Sequence, residues 1–257
     1  MNLLWVWAVA ALLMVMATVI DKLPASWLAP WLEQQTQGRL SLGDPQGSVW
    51  HGSAFLGGAS SGNEPLVPLL PGRFRWHLSP LLLLGRLDAT IQNSRALDAP
   101  VNFTGNWRQW EVGPGSVQWP AQQLAALGAP LNTLRPSGQM RLSWSELTLL
   151  STGGSLQIDG RMQLDMTEIA SALSPVKPLG AYRMQFDWQG NRAAITLKSL
   201  SGPLLLEGSG AIVNGRLQFS GQAWAQEGHE KKLAILLNLL GQRRQIGNRD
   251  VIALEFK

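Results

Sequence analysis

Three histidines and seventeen carboxylates are this chain's main candidates for acid–base and metal chemistry, and it has no cysteine. The histidines are His51, His77 and His229, and none stands within four residues of another. A metal site built on one element needs ligands at fixed spacing, as in the two histidines of His-Glu-x-x-His on a helix, and no such spacing occurs. The lack of cysteine excludes disulfides, thiolate zinc sites and a thiol nucleophile. No nucleophile elbow and no phosphate loop is read from the glycines, since Gly208-Ser209-Gly210 lies inside a strand-like run and lacks the second half of the phosphate motif. The carboxylates are spread out, with few close pairs to form an acid–base dyad. The expectation is a protein that is not an enzyme, with no catalytic residue, no metal and no cofactor. Each histidine is expected to be a solvated surface group, because isolated histidines lack activating neighbours.

The elements that would position any site follow from composition and period. The 257 residues are 45% hydrophobic and only 15% charged, with 12 Trp, one Tyr and a net charge of +4. That balance favours folding over disorder and suits an envelope β protein. The basic residues are scattered, so nucleic acid is not an expected partner. Residues 1–20, MNLLWVWAVAALLMVMATVI, carry no charge. As a helix they would span about 30 Å, the thickness of a bilayer's hydrocarbon core. No basic residue precedes the run and no small-x-small cleavage site follows it, so an uncleaved transmembrane anchor is expected over 1–20. The flanking charges do not set its orientation. Residues 21–38 form a juxtamembrane linker with a short amphipathic helix, in which Trp27, Leu28, Trp31 and Leu32 group on one face. Such a helix suits either a membrane interface or a cap on the domain.

From residue 39 to 257 the period is two. RFRWHL (73–78), QMRLSW (139–144), GRMQLDM (160–166), AYRMQFDW (181–188) and RLQFSG (216–221) alternate apolar with polar residues, as half-buried antiparallel strands do. Turns are read at Gly153-Gly154, Gly190-Asn191 and Asn214-Gly215, the last with type I′ hairpin character. A loop is expected over 60–72, a short helix over 120–128, and a clearer helix over 229–241 with Leu233, Leu236, Leu237 and Leu240 on one face and Gly241 as its C-terminal stop. DVIALEF (250–256) reads as a last strand. The fold expected is mainly β: the N-terminal helix, then a large curved antiparallel sheet built as a meander, forming an open trough or partial barrel, with a few short helices. In GSVWHG (47–52) the segment reads as extended, with Trp50 a core or groove anchor, His51 on the polar face, and Gly47 and Gly52 allowing turns or close approach.

The chain also resembles the type II secretion system protein N family, inner-membrane proteins of bacterial general secretion pathways. The resemblance rests on five stretches in order: LPASWLAPWL (23–32) after the anchor, GSVWHG with Gly47, Trp50 and Gly52, LGAPLNTLRPSGQMRLSW (127–144) with Gly128, Pro130, Asn132, Thr133 and Leu134, LSPVKPLGAYRM (173–184) with Leu179 and Gly180, and LLNLLGQRR (236–244) with Asn238 and Gly241. It implies a single-pass protein of the cell inner membrane with its bulk in the periplasm. The implied role is accessory: binding and assembly with other inner-membrane and periplasmic subunits in the export of folded proteins across the outer membrane. His51 occupies a variable position of the family's Gly-x-hydrophobic-Trp-x-Gly pattern. A second function class is an envelope lipid-binding or lipid-transfer protein, since an apolar face on a curved sheet serves equally as a closed core or as a groove for lipid.

Overall fold

The computed structural model describes residues 7, 11, 14–16, 18–36, 38, 40–58, 67–127, 131–152, 155–246 and 249–256. The anchor expected over 1–20 falls largely outside them. Residues 7, 11, 14–16 and 18–21 are helical, and among the described residues no helix is long and apolar enough to cross a membrane. The turn expected at Gly153-Gly154 and residues 60–66 of the expected loop also lie outside the described residues.

The period-two stretches form one large antiparallel sheet. A 3-10 turn (Ala25–Trp27) and helix α1 (Leu28–Gln35) precede β1 (Leu40–Gly47) and β2 (His51–Gly58), which pair as a hairpin. β3 (Val67–Pro68) and β4 (Phe74–Leu78) lie end to end along β2, so part of the expected loop adds to the sheet. β5 (Arg86–Gln92), β6 (Val101–Asn106) and β7 (Gln109–Val112) continue the meander. β7 then runs on into β8 (Gly115–Pro120). A 3-10 turn (Ala121–Leu127) and α2 (Leu131–Leu134) lead to β9 (Pro136–Trp144), which runs on into β10 (Leu147–Thr152). β8 pairs with β9 and β7 with β10 in one continuous register. The long strand β11 (Ser155–Ser171) receives both β9 and β10 on one side and β12 (Gly180–Gly190) on the other. β13 (Arg192–Ser201), β14 (Leu204–Val213) and β15 (Arg216–Ala225) follow in order. Between β14 and β15, Asn214 and Gly215 both have positive φ (52° and 76°), as a type I′ turn requires.

The chain then breaks the meander. Helix α3 (Glu230–Leu240) carries it past β15, and β16 (Gln242–Ile246) and β17 (Arg249–Phe256) return as a hairpin. β17 pairs with β15 as well as β16, so the last strand is internal and β16 is the edge. Among the described residues, every pairing is antiparallel, and β1 and β16 do not pair with each other. The sheet is therefore open.

Alternation places one apolar row across many strands. Trp144, Met162, Phe186 and Ile195 are successive cross-strand neighbours, as are Leu142, Leu164, Met184 and Leu197. α3 packs on the C-terminal part of this face, with Leu233, Leu236 and Leu237 against Tyr182, Leu204 and Ile252. Each such leucine gains about 1.5–3 kcal/mol by leaving water. Beyond the helix, Leu142, Trp144, Met162, Leu164 and Phe186 are only half-buried. A separate small cluster of Val101, Val112 and Leu147 holds the β6–β7–β10 region.

Large rings on this face need room, and glycines supply it. A Cβ at Gly208 would lie 2.5 Å from the Phe219 ring, one at Gly115 2.7 Å from the Trp144 ring, and one at Gly52 2.3 Å from the Trp76 ring. Gly241 acts in the same way. It follows the last residue of α3 as expected, but its φ is 170°, ordinary extended backbone and no left-handed cap. A Cβ there would stand 2.1 Å from the Ala253 carbonyl oxygen, so the position requires close approach of a strand.

Candidate functional site

The residues singled out in the sequence gather in two places, at opposite ends of the sheet. At the first, Val49 and Trp50 form the β1–β2 turn. Gly47 faces Gly52 across the hairpin, and the Ser48 N–H donates to the His51 carbonyl at 2.9 Å. Residues 48–50 are thus a turn, not the extended segment expected. The reason is long-range: the Val49 N–H donates to the Leu23 carbonyl at 2.8 Å, and Pro24 bridges to Ser48. Trp50 is 4% exposed, and its Nε1–H donates to the Ile20 carbonyl at 2.7 Å. Ile20 is in the last turn of the N-terminal helical residues, where carbonyls lack partners within the helix. The Ile20 carbonyl also accepts from the Leu23 N–H at 3.3 Å, and the hairpin adds the shorter bond and grips the chain where helix becomes linker. Gly47, at φ +85°, has no room for a side chain, because a Cβ would meet the His51 carbonyl oxygen at 2.4 Å. Trp76 closes the other side by donating from Nε1 to the Val49 carbonyl at 2.9 Å.

His51 projects away from this packing, and β2–β4 pairing sets it opposite His77. The two rings meet edge to face with centroids 4.2 Å apart, both side chains exposed. This pair was missed in the sequence because the two residues are 26 apart and only strand register joins them. His229 stands at the start of α3, half-buried, with its Nδ1 buried and without a hydrogen-bond partner among the described residues.

Helix α1 lies along β1. Leu28 and Leu32 are half-buried, while Trp27 and Trp31 are 64% and 58% exposed. The four residues do not share one face, as the spacing suggested. The helix is held by the Glu33 carboxylate accepting from the Ser41 hydroxyl.

The second gathering is at the far end. Leu134 of α2 offers its carbonyl to the Ser171 hydroxyl at 2.6 Å and packs on the core under α3. Asn132 and Thr133 are exposed on the same turn. Leu179, 3% exposed, donates its N–H to Ile169 and accepts from the Leu204 N–H. Gly180 fits beneath Tyr182, whose hydroxyl would be 2.8 Å from a Cβ placed there. The buried Tyr182 hydroxyl donates to the Leu204 carbonyl at 2.9 Å, and burial pushes its pKa well above the ordinary tyrosine value. Asn238 is exposed on α3, beside Ile235 (68% exposed) and Leu239 (60%). Gly128 and Pro130 lie outside the described residues. Three of the quoted stretches thus build one corner from α2, the loop before β12 and α3.

Among the described residues, no three His, Asp or Glu side chains stand at metal-binding spacing. One spacing escaped the reading of the glycines: Gly58, Ser60 and Gly62 form Gly-x-Ser-x-Gly. It follows β2, but the next described element is strand β3, not the helix that a nucleophile elbow requires, and Ser60 lies outside the described residues. What the geometry supplies is attachment. One end of the sheet grips the N-terminal segment, and the other presents a helix with outward-facing apolar residues.

No characterised protein and no solved structure gives a significant match. Residues 23–251 match the family model described as Type II secretion system (T2SS), protein N. That match runs from Leu23, whose carbonyl the Val49 N–H holds, to within β17, and on it the chain belongs to the type II secretion system protein N family.

Proposed function

We propose that this chain is a membrane-tethered scaffold of the type II secretion machinery, held in the inner membrane by residues 1–20 with its sheet in the periplasm, and acting by binding other subunits without turnover. Family membership supports a part in type II secretion and contact with other components of that system. The observation that carries the scaffold reading is the grip of the Val49–Trp50 turn on the Leu23 and Ile20 carbonyls. It joins the sheet by hydrogen bonds to the segment that would leave the bilayer. Tethering raises the effective concentration of the domain toward other membrane-bound subunits. Its exposed β16 edge can pair with a partner's strand, and the outer face of α3 offers Ile235 and Leu239 to a partner's apolar groove. The test is photo-crosslinking in cells from Ile235 and from Gln242, with a secretion assay. Crosslinks to other secretion subunits and normal secretion by the triple variant His51→Ala, His77→Ala, His229→Ala are expected. A triple variant that folds and crosslinks normally but fails to secrete would overturn a binding-only role.

One observation favours a second reading, lipid binding. The apolar row from Leu142 to Phe186 extends beyond α3 and is half-buried, where a sealed core would be fully covered. Acyl lipid retained by the purified chain in native mass spectrometry, and lost on Met184→Glu, would support it.

A further inference from the structure

We propose that two turns beside the Trp50 hairpin form a second, peripheral membrane contact: Leu81, Leu83, Leu84 and Trp107 enter the headgroup–acyl boundary of the bilayer, and Arg86 and Arg108 meet anionic headgroups. This rests on the tether reading and says how the domain meets the same membrane.

The first turn, Pro80–Leu84, joins β4 to β5; the second, at residues 107–108, joins β6 to β7. Single exposed leucines are common on soluble proteins and need no explanation. Here Leu84 is 82% exposed, Trp107 65%, Leu83 54% and Leu81 42%, all within two adjacent turns. The turns are built structures. Ser79 caps the first by accepting from the Leu81 N–H, and Gly85 ends it in the left-handed region at φ 85°. The Trp107 indole packs against Gly85, where a Cβ would be 3.3 Å from the ring, and its Nε1–H donates to the Leu82 carbonyl at 3.0 Å. With its one polar atom satisfied inside the protein, the ring presents apolar surface outward.

Position points to the occupant. The Leu78 N–H donates to the Trp50 carbonyl at 2.7 Å, and Trp50 holds Ile20, so the leucine turn stands beside the end of the apolar N-terminal segment. Neighbouring strands are about 4.8 Å apart and twist by about 20–25° per step, so the Trp107 turn, two strands further along, still lies on the same rim. Arg86 and Arg108 flank the leucines and Trp107 and are exposed, while the carboxylates of the same strands, Asp88 and Glu111, lie further down them, and the exposed Asp21 beside Ile20 is paired with Lys22. Apolar side chains and a tryptophan beside arginines is the composition that interfacial membrane contacts use.

The absence of native cysteine makes the test clean. Full-length chains carrying only Leu84→Cys or only Leu200→Cys, each spin-labelled, are placed in vesicles of phosphatidylethanolamine and phosphatidylglycerol. Leu200 is exposed at the other end of the sheet. Collision with a water-soluble nickel chelate should be several-fold lower at position 84 than at 200, and collision with oxygen higher. Adding Arg86→Gln and Arg108→Gln should weaken that shielding. A chain that resists alkaline carbonate extraction yet shows position 84 as wet as position 200 overturns the rim contact alone. A chain released by carbonate whose position 84 is still shielded keeps the rim contact and overturns the tether.

Discussion

Trp50→Ala removes a buried ring together with the N–H that holds the Ile20 carbonyl. A loss of about 3–5 kcal/mol is expected in chemical denaturation, as for other buried aromatics cut to alanine. His51→Ala should change stability by less than about 0.5 kcal/mol, because both imidazoles of its pair are exposed. That adjacent residues differ so much follows from the turn: Trp50 faces the N-terminal segment and His51 starts β2. The burial of Trp50 was legible in its flanking glycines. The turn itself was not, since Val-Trp carries none of the Gly, Asn or Asp chemistry that marks tight hairpins. Its partners, Ile20 and Leu23, are some thirty residues away and no local rule reaches them.

Helix α3 separates packing from presentation along its own length. Leu233→Ala should destabilise by about 2–5 kcal/mol, since the side chain is fully enclosed. Ile235→Ala and Leu239→Ala, on the outer face, should leave the thermal midpoint nearly unchanged and lower secretion and crosslinking if that face docks a partner. This helix was readable because its four leucines repeat at helical spacing, and the strands were readable because burial of one face imposes a period of two. Strand order was less so. DVIALEF was recognisable as a strand, but β16 lies outside it, and QRRQI has too little apolar content to declare itself. Gly241 was placed correctly and for the wrong reason, since the limit it obeys is the Ala253 carbonyl on another element.

For the molecule as a whole, Tyr182 is a built-in reporter, being the chain's one tyrosine and part of the core under α3. Its folded-state pKa is raised by burial above an unfolded value of about 10. The stability linked to it is therefore complete below about pH 10 and is lost as pH rises above that, because the unfolded chain ionises first. Tyrosinate absorbance should stay absent past the ordinary tyrosine range and then appear together with loss of the fold. Tyr182→Phe should weaken the alkaline dependence while costing about 1 kcal/mol for the lost hydrogen bond to Leu204. From β4 to β15 each strand joins the sheet beside the one made before it, with β7–β8 and β9–β10 each acting as one long strand. A chain emerging from its N-terminus can therefore fold in the order of its synthesis. The Trp50 hairpin needs only residues already made, and every later strand finds its template waiting, so few long loops must close against entropy. The growing edge is the vulnerable place, open to wrong pairing until the next strand arrives. β17 slots between β15 and β16, and until that happens α3 lacks the Ile252 side of its seat. A chain cut short before residue 249 would hold a sheet that is nearly complete but whose helix is half-docked.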